Sequence, residues 1–334
     1  MSTERMGVET LESSVALIIP LFNEEEVLPL LVGELESFKR ARKEIIQVIF
    51  VDDGSSDGTV REVIRLTNGI SGYELVRFSR NFGHQMAISA GIRRCKADAA
   101  IILDADLQDP LDVAGKMLDK WKEGFDVVFG IRSLRTQVPA AQRLTAHVFY
   151  RLFGKLTDVD APVDTGDFRL ISRAVIEAFN QFEEQQPYVR GLIAWLGFKQ
   201  VGIPYERPGR AAGDTKYPFR RRFKLAMDAL TSFSTKPLKM AINLGLLIAS
   251  GSFAGLIWVV LTKYVLGTAI TGWASLIFAA FFFGGIQLFF LGIVGTYVAR
   301  VYEEVKRRPR FVIQDVWESG KKGDSDGSKA INER

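Results

Sequence analysis

The chain has 334 residues, 47% of them hydrophobic, and 43 Lys and Arg against 39 Asp and Glu give a net charge of +4. That length allows one sizeable domain plus a further segment, and the basic surplus flanks apolar stretches, which excludes reading it as a nucleic-acid footprint. The single cysteine, Cys95, excludes an intramolecular disulfide and fits a main domain in a reducing compartment.

In chain order, residues 1–14 are polar and acidic, are expected to be disordered, and carry no signal-peptide pattern. Val15 to Pro20 is an unbroken apolar run and predicts a strand buried on both faces, after which Asn23 is placed to cap a helix over 24–38. Ile45 to Val51 predicts a second strand, ending in Asp52-Asp53-Gly54-Ser55-Ser56-Asp57-Gly58-Thr59, a turn that opens a helix through Leu66. Strand 74–78, helix 84–95, a strand entering Leu103, helix 111–121 and strand 126–131 follow. Strands alternating with helices of this length predict an α/β domain, a Rossmann-like, mostly parallel sheet with helices on both faces. Neither a Gly-x-Gly-x-x-Gly turn nor a Walker phosphate loop follows the first strand, which excludes the usual dinucleotide and P-loop sites.

Polar groups gather where these strands end. Asn23 and Glu24 follow the first, Asp52 and Asp53 the second, Asp104 and Asp106 the fourth, and Arg132 the fifth. That edge is where open α/β sheets bind ligands. Asp104 and Asp106 alternate at a strand end, so the two carboxylates can share a hard divalent cation, Mg²⁺ or Mn²⁺, completed by substrate phosphate oxygens. Acids crowded at one edge would otherwise repel one another.

The second half reads differently. Leu144, Val148, Leu152 and Leu156 recur every fourth residue and predict an amphipathic helix over 142–157. Phe219, Phe223, Met227 and Leu230, interleaved with Arg220, Arg221, Arg222 and Lys224, predict a helix lying in a membrane interface. Met240 to Thr262 and Tyr264 to Ala299 contain no charged residue, and each exceeds the ~20 apolar residues a transmembrane helix needs. Basic residues precede the first stretch and follow the second, which by the positive-inside rule puts both ends in the cytoplasm. The expected organisation is a catalytic domain over 15–215, a juxtamembrane helix over 216–236, a transmembrane hairpin over 237–300 (spans near 238–262 and 274–299) and a cytoplasmic tail over 301–334.

Three stretches in this order, Ile19-Pro20-Leu21-Phe22-Asn23-Glu24, Val51-Asp52-Asp53-Gly54-Ser55-Ser56-Asp57-Gly58-Thr59 and Leu103-Asp104-Ala105-Asp106-Leu107-Gln108-Asp109-Pro110, resemble the signature of family 2 glycosyltransferases with the GT-A fold. With the two apolar spans and the ending at 292–309, the chain is most similar to polyprenyl-phosphate glycosyltransferases of the inner membrane. The resemblance implies an inverting transfer of a hexose from a nucleotide-sugar donor to a polyprenyl (undecaprenyl) phosphate, with no nucleic acid involved and a homo-oligomer left open. It implies that Pro20, Phe22 and Glu24 line the base and ribose, with Asp104 beside them. Asp52 would accept from a uracil N–H or contact the ribose, and Asp53 is either its partner or a turn cap. Asp106, with Asp104 and Gln108, would hold the metal against the diphosphate. Asp164-Thr165-Gly166-Asp167-Phe168-Arg169 resembles the acceptor-side motif of bacterial glucosyltransferases. There Asp164, Asp167 and Arg169 are catalytic candidates, or Asp167 and Arg169 form a structural ion pair. Arg132, Arg143 and Lys216 are the candidates for phosphate or acceptor binding. Glucose from UDP-glucose is the expected donor; mannose from GDP-mannose and a modified amino sugar from a UDP-sugar are alternatives. A processive polysaccharide synthase is disfavoured because no Gln-x-x-Arg-Trp motif is present, and a non-catalytic scaffold because acids stand at all three signature strand ends.

Overall fold

A computed structural model describes residues 13–132, 165–206, 236–265 and 272–320. In it β1 (Val15–Leu21) is buried along its whole length. It lies between β2 (Ile45–Asp52) and β4 (Ala99–Ile102), parallel to both. β3 (Tyr73–Phe78) extends the parallel set beyond β2. Across the sheet, β6 (Thr165–Ser172) runs antiparallel between β4 and β5 (Val127–Arg132), and β7 (Gln200–Tyr205) lies parallel to β5 at the edge. With β8 (Ile313–Glu318) at the far edge, the order among the described residues is β7-β5-β6-β4-β1-β2-β3-β8.

The apolar runs explain the layering. Leu17, Ile19, Phe50, Leu75 and Ile101 point to one face and pack with α1 (Leu28–Ala41), α2 (Thr59–Thr67) and α4 (Leu111–Lys122) through Leu28, Leu35, Val63 and Met117. The other face of β1 and β2 carries α3 (His84–Arg94), whose Ala87, Ile88, Ala90 and Ile92 are all but fully buried. A Cβ at Gly91 would fall 2.3 Å from Ile18 Cγ2, so α3 approaches β1 closely because that position lacks a side chain. α5 (Arg173–Asn180) and α6 (Val189–Trp195) complete the layer beside β6.

Three expectations change. The helix after β1 begins at Leu28 with Val27 as its N-cap, not at Glu24, because Asn23 adopts a left-handed conformation (φ 55) and its side chain instead accepts the Ser56 N–H at 2.9 Å. The segment expected to be a tail supplies β8 (Ile313–Glu318), antiparallel to β3, and Phe311 just before it stacks on Phe78 with centroids 5.0 Å apart. Finally β6, α5, α6 and β7 had no counterpart in the pattern reading.

The described residues fall into two compact units. The first is the sheet domain, including β8. The second contains α7 (Lys236–Val265) and α8 (Trp273–Lys306). Both helices are apolar around their circumference, with Leu246, Trp258 and Leu288 each about two-thirds exposed or more (68%, 67% and 71%). Among the described residues one segment, Phe282–Lys306, is long and apolar enough to cross a membrane, and a shorter apolar stretch covers Ile242–Gly255. The predicted helix over 142–157, all but the last residue of the one over 216–236, and Asp164, Arg143 and Lys216 lie outside the described residues.

Candidate active site

The site forms at the C-terminal edge of β1, β2 and β4, with β6 contributing from the antiparallel direction. The loops after β1 and β2 are knitted by short hydrogen bonds. The Asn23 N–H donates to Ser55 Oγ (2.9 Å), the Glu24 N–H to Thr59 Oγ1 (2.8 Å), and Glu25 accepts the Gly58 N–H (2.7 Å). Gly54 turns the loop after β2 at φ 70, and a Cβ there would fall 2.4 Å from the Arg80 carbonyl carbon. Pro20 is buried in β1, Phe22 is half exposed at its end, and Glu24 is partly buried. Asp52 is fully buried, accepts the Ser55 N–H at 3.3 Å from both oxygens, and burial raises its pKa. Asp53 accepts the N–H groups of Phe82 (2.7 Å) and Gly83 (2.9 Å), so its carboxylate holds the loop that leads into α3.

After β4 the chain turns sharply, with Leu107 at φ 58. Asp109 organises the turn: one carboxylate oxygen accepts the Asp104 N–H (3.1 Å) and the other the Tyr205 hydroxyl (3.1 Å). Burial, reinforced by the charge of Asp104, pushes the Asp109 carboxyl up to about 6. Asp106 accepts the Gln108 N–H at 3.1 Å and stays partly exposed, as does Asp104, while the Gln108 side chain is largely buried.

The antiparallel register of β4 and β6 pairs Ile102 with Arg169, so continuing it by two residues sets Asp104 opposite Asp167. His84, the first residue of α3, stands between them, its Nε2 3.5 Å from Asp104 Oδ1 and 3.5 Å from Asp167 Oδ2. Gln85 donates to Asp167 at 3.0 Å and accepts the Val189 N–H at 3.0 Å, tying β6 to the start of α6. Arg190 on α6 approaches Asp167 at 3.3 Å. Burial alone would raise the Asp167 pKa, but His84, Arg190 and Arg169 hold it well below the usual carboxylate range. Partial loss of water lowers the His84 pKa less than the two carboxylates raise it, so the net shift is upward. Arg169 is buried, donates to the Gly166 carbonyl at 2.9 Å, and burial pulls its guanidinium down to about 10. Arg132 lies over Gly166, where a Cβ would fall 2.4 Å from its guanidinium, and donates to the Tyr205 hydroxyl at 3.4 Å.

The donor chemistry at the end of β4 is hard carboxylate oxygen, which suits Mg²⁺ or Mn²⁺. Among the described residues no group of three or more His, Cys, Asp or Glu converges on one metal position. Two carboxylates with substrate oxygens completing the sphere therefore fit better than an all-protein cage.

Residues 16–179 match the family model described as glycosyl transferase family 2. The uncharacterized glycosyltransferase YkcC of Bacillus subtilis is 42% identical over 90% of this chain and 93% of its own length. The chain belongs to that family. It is a glycosyltransferase, and its mixed, mostly parallel sheet is of the GT-A kind. The prophage bactoprenol glucosyl transferase homolog of Escherichia coli is 36% identical over 90% of this glycosyltransferase and 99% of that protein, and the bactoprenol glucosyl transferase of Shigella phage SfII is 35% identical over 90% and 97%. Among solved structures, mannosyl-3-phosphoglycerate synthase from Rubrobacter xylanophilus superposes with a TM-score of 0.46 at 17% identity, covering 66% of this chain and 74% of that one.

Within the glycosyltransferase, the structure brings Asp104, Arg132, Asp167 and Arg169 into one polar network and places Asp52 and Asp53 in the supporting loops. His84, Gln85, Asp109, Arg190 and Tyr205 join that network without having been singled out. His84 and Gln85 carried a usable signal, since they follow the third strand at the edge where the other polar groups gather. Arg190 and Tyr205 carried none, because their segments showed no recognisable strand-end pattern.

Proposed function

We propose that the protein transfers glucose from UDP-glucose to a polyprenyl phosphate, with inversion, at the cytoplasmic face of a membrane that α7 and α8 both span. The observation that carries this reading is the 35–36% identity, over nearly the full length of both partners, to proteins named for bactoprenol glucosyl transfer. The exposed apolar surfaces of α7 and α8 support a lipid-embedded segment, and the basic residues flanking them support the orientation.

Asp104 and Asp106 hold a divalent cation, Mg²⁺ or Mn²⁺, with Gln108 supporting their turn. When bound, that cation neutralises charge developing on the departing diphosphate. Pro20, Phe22, Glu24 and Asp52 form the nucleoside side, where loops already fixed by Ser55 and Thr59 limit the ordering that binding requires. A lipid monophosphate carries its own negative charge near neutral pH, so no proton need be removed from it. Asp167, held ionised by its neighbours, orients Arg190 and Arg169 and faces the sugar, while Arg132, with Arg143 and Lys216 from the segments outside the description, gathers the two phosphate-bearing substrates. Asp164 adjoins that motif on the acceptor side.

The test is transfer by the purified full-length protein in detergent, with undecaprenyl phosphate and a panel of UDP-glucose, GDP-mannose and UDP-linked amino sugars. UDP-glucose should be the preferred donor, and Asp106→Ala or excess EDTA should reduce turnover by roughly 10²–10³-fold, the scale of losing a principal charge-stabilising contact. Preference for GDP-mannose or an amino sugar would replace glucose in this reading. Undiminished transfer in EDTA would remove the cation.

A further inference from the structure

The two carboxylates that face each other across β4 and β6 come from opposite sides of the proposed reaction: Asp104 from the cation and diphosphate side, Asp167 from the sugar and acceptor side. Unpaired, they would repel. The group between them is His84, with Nε2 3.5 Å from each. That distance is the outer limit of a hydrogen bond, and contacts of this kind are commonly long before substrate arrives and tighten afterwards. The backbone that carries the imidazole is held from two directions. Asp53 accepts the N–H groups of Phe82 and Gly83 just before it, and Gln85 just after it bridges Asp167 and the Val189 N–H. The ring is therefore delivered by a constrained helix start, yet it is exposed enough to adjust.

We infer that His84 is a positioning residue that sets the orientation of Asp104 toward the cation by sharing its Nε2–H between Asp104 and Asp167. A metal-ligating carboxylate that is itself hydrogen-bonded presents its oxygens in one orientation, and outer partners of this kind typically govern metal affinity by about 10–100-fold. The inference rests on the proposed cation role of Asp104. It assigns no proton transfer to His84. The same first turn of α3 thereby links the two halves of the site, because any displacement of His84 loosens Asp104 and Asp167 together.

The test compares wild type, His84→Ala and His84→Gln as full-length protein, by calorimetric titration of UDP with Mn²⁺ and again in EDTA, alongside steady-state transfer. The glutamine amide can place an N–H near the position of Nε2. His84→Ala should weaken UDP binding about 10–100-fold with Mn²⁺ and leave binding in EDTA unchanged, and His84→Gln should recover most of the loss. Turnover should follow the Mn²⁺-dependent affinity, with KM for UDP-glucose raised at limiting Mn²⁺ and approaching the wild-type value when Mn²⁺ is saturating. Equal losses with and without Mn²⁺ would mean a general disturbance of the fold and would overturn the inference, as would wild-type binding in His84→Ala or an unrescued His84→Gln. The titration needs no acceptor, so a protein that binds UDP and Mn²⁺ tightly but transfers no glucose would refute the proposed reaction while still deciding the role of His84. If Mn²⁺ does not tighten UDP binding in wild type, the cation role fails and the inference falls with it.

Discussion

The two sides of the site are stabilised in different ways. In the loops after β1 and β2, polar side chains are satisfied by backbone N–H groups and by neutral hydroxyls: Asn23 by Ser56, Glu25 by Gly58, Asp53 by Phe82 and Gly83, and Asp57 by Thr59 at 3.0 Å. At the corner of β4, β6 and β7, carboxylates are balanced by cations and side chains from distant segments: Asp167 by Arg190, Gln85 and His84, and Asp109 by Tyr205. The first side is a shape. Its donors are part of the backbone, so their positions are set by the fold of the loops themselves. The second side is a charge balance in a partly water-excluded corner, where each ion's worth depends on its partners remaining. A nucleoside needs the former, and a reaction that brings two phosphate groups together needs the latter.

The largest expected effect breaks the charge balance. Asp167→Ala removes the carboxylate that Arg190 approaches and whose charge offsets that of the buried Arg169, and should cost the sheet domain about 3–5 kcal/mol, read as a lower urea midpoint for that domain. Asp167→Asn keeps the size and should lose less. Because the folded pKa of Asp167 is depressed, its contribution is present above the unfolded carboxylate range of about 4 and is lost as pH falls below it. Equal stability of Asp167→Ala and wild type at neutral pH would mean that the ion pairs carry no net energy.

A smaller effect is expected on the other side. Asp53→Ala removes the acceptor of the Phe82 and Gly83 N–H groups and should cost about 1–3 kcal/mol, with little dependence on salt since the partners are uncharged. Hydrogen exchange at Phe82 and Gly83 should report it directly, and unchanged protection there would show that another group accepts these N–H groups.

The smallest sharpens the comparison by pH. The Asp109 carboxyl is raised to about 6 in the fold, above its unfolded value, so this group makes the protein less stable as pH rises through about 4 to 6. Asp109→Asn does not titrate and should therefore gain on wild type across that window, by on the order of 1 kcal/mol. Denaturation midpoints at pH 4.5 and pH 7 measure the difference; a constant gap between the two proteins would show that Asp109 does not titrate there.

Much of the first side was legible in the chain itself. The apolar runs of β1 and β4 are short and continuous because those strands are covered on both faces, and that pattern survives translation into one dimension. Asp52, Asp53, Asp104 and Asp106 could be assigned to one edge because every parallel strand ends there. A turn-holding role for Asp53 was among the readings the turn chemistry allowed, but its partners, one loop away at Phe82 and Gly83, required the fold. Asn23 was misplaced as a helix cap because its side chain answers to Ser56 across a loop, not to the following helix.

The second side was decided by tertiary structure. β6 enters antiparallel to β4 and so brings Asp167 against Asp104 from 63 positions along the chain, a pairing with no local signature. Gly166 reads as an ordinary turn residue until Arg132 is seen lying where its side chain would be. β8 returns to the sheet from beyond the apolar helices because the edge of β3 still offered unpaired backbone groups, and Phe311 found Phe78 on arrival. Local periodicity reports how a segment is covered; which charge meets which counter-charge is set by sheet order and strand direction, and these arise only when the chain closes on itself.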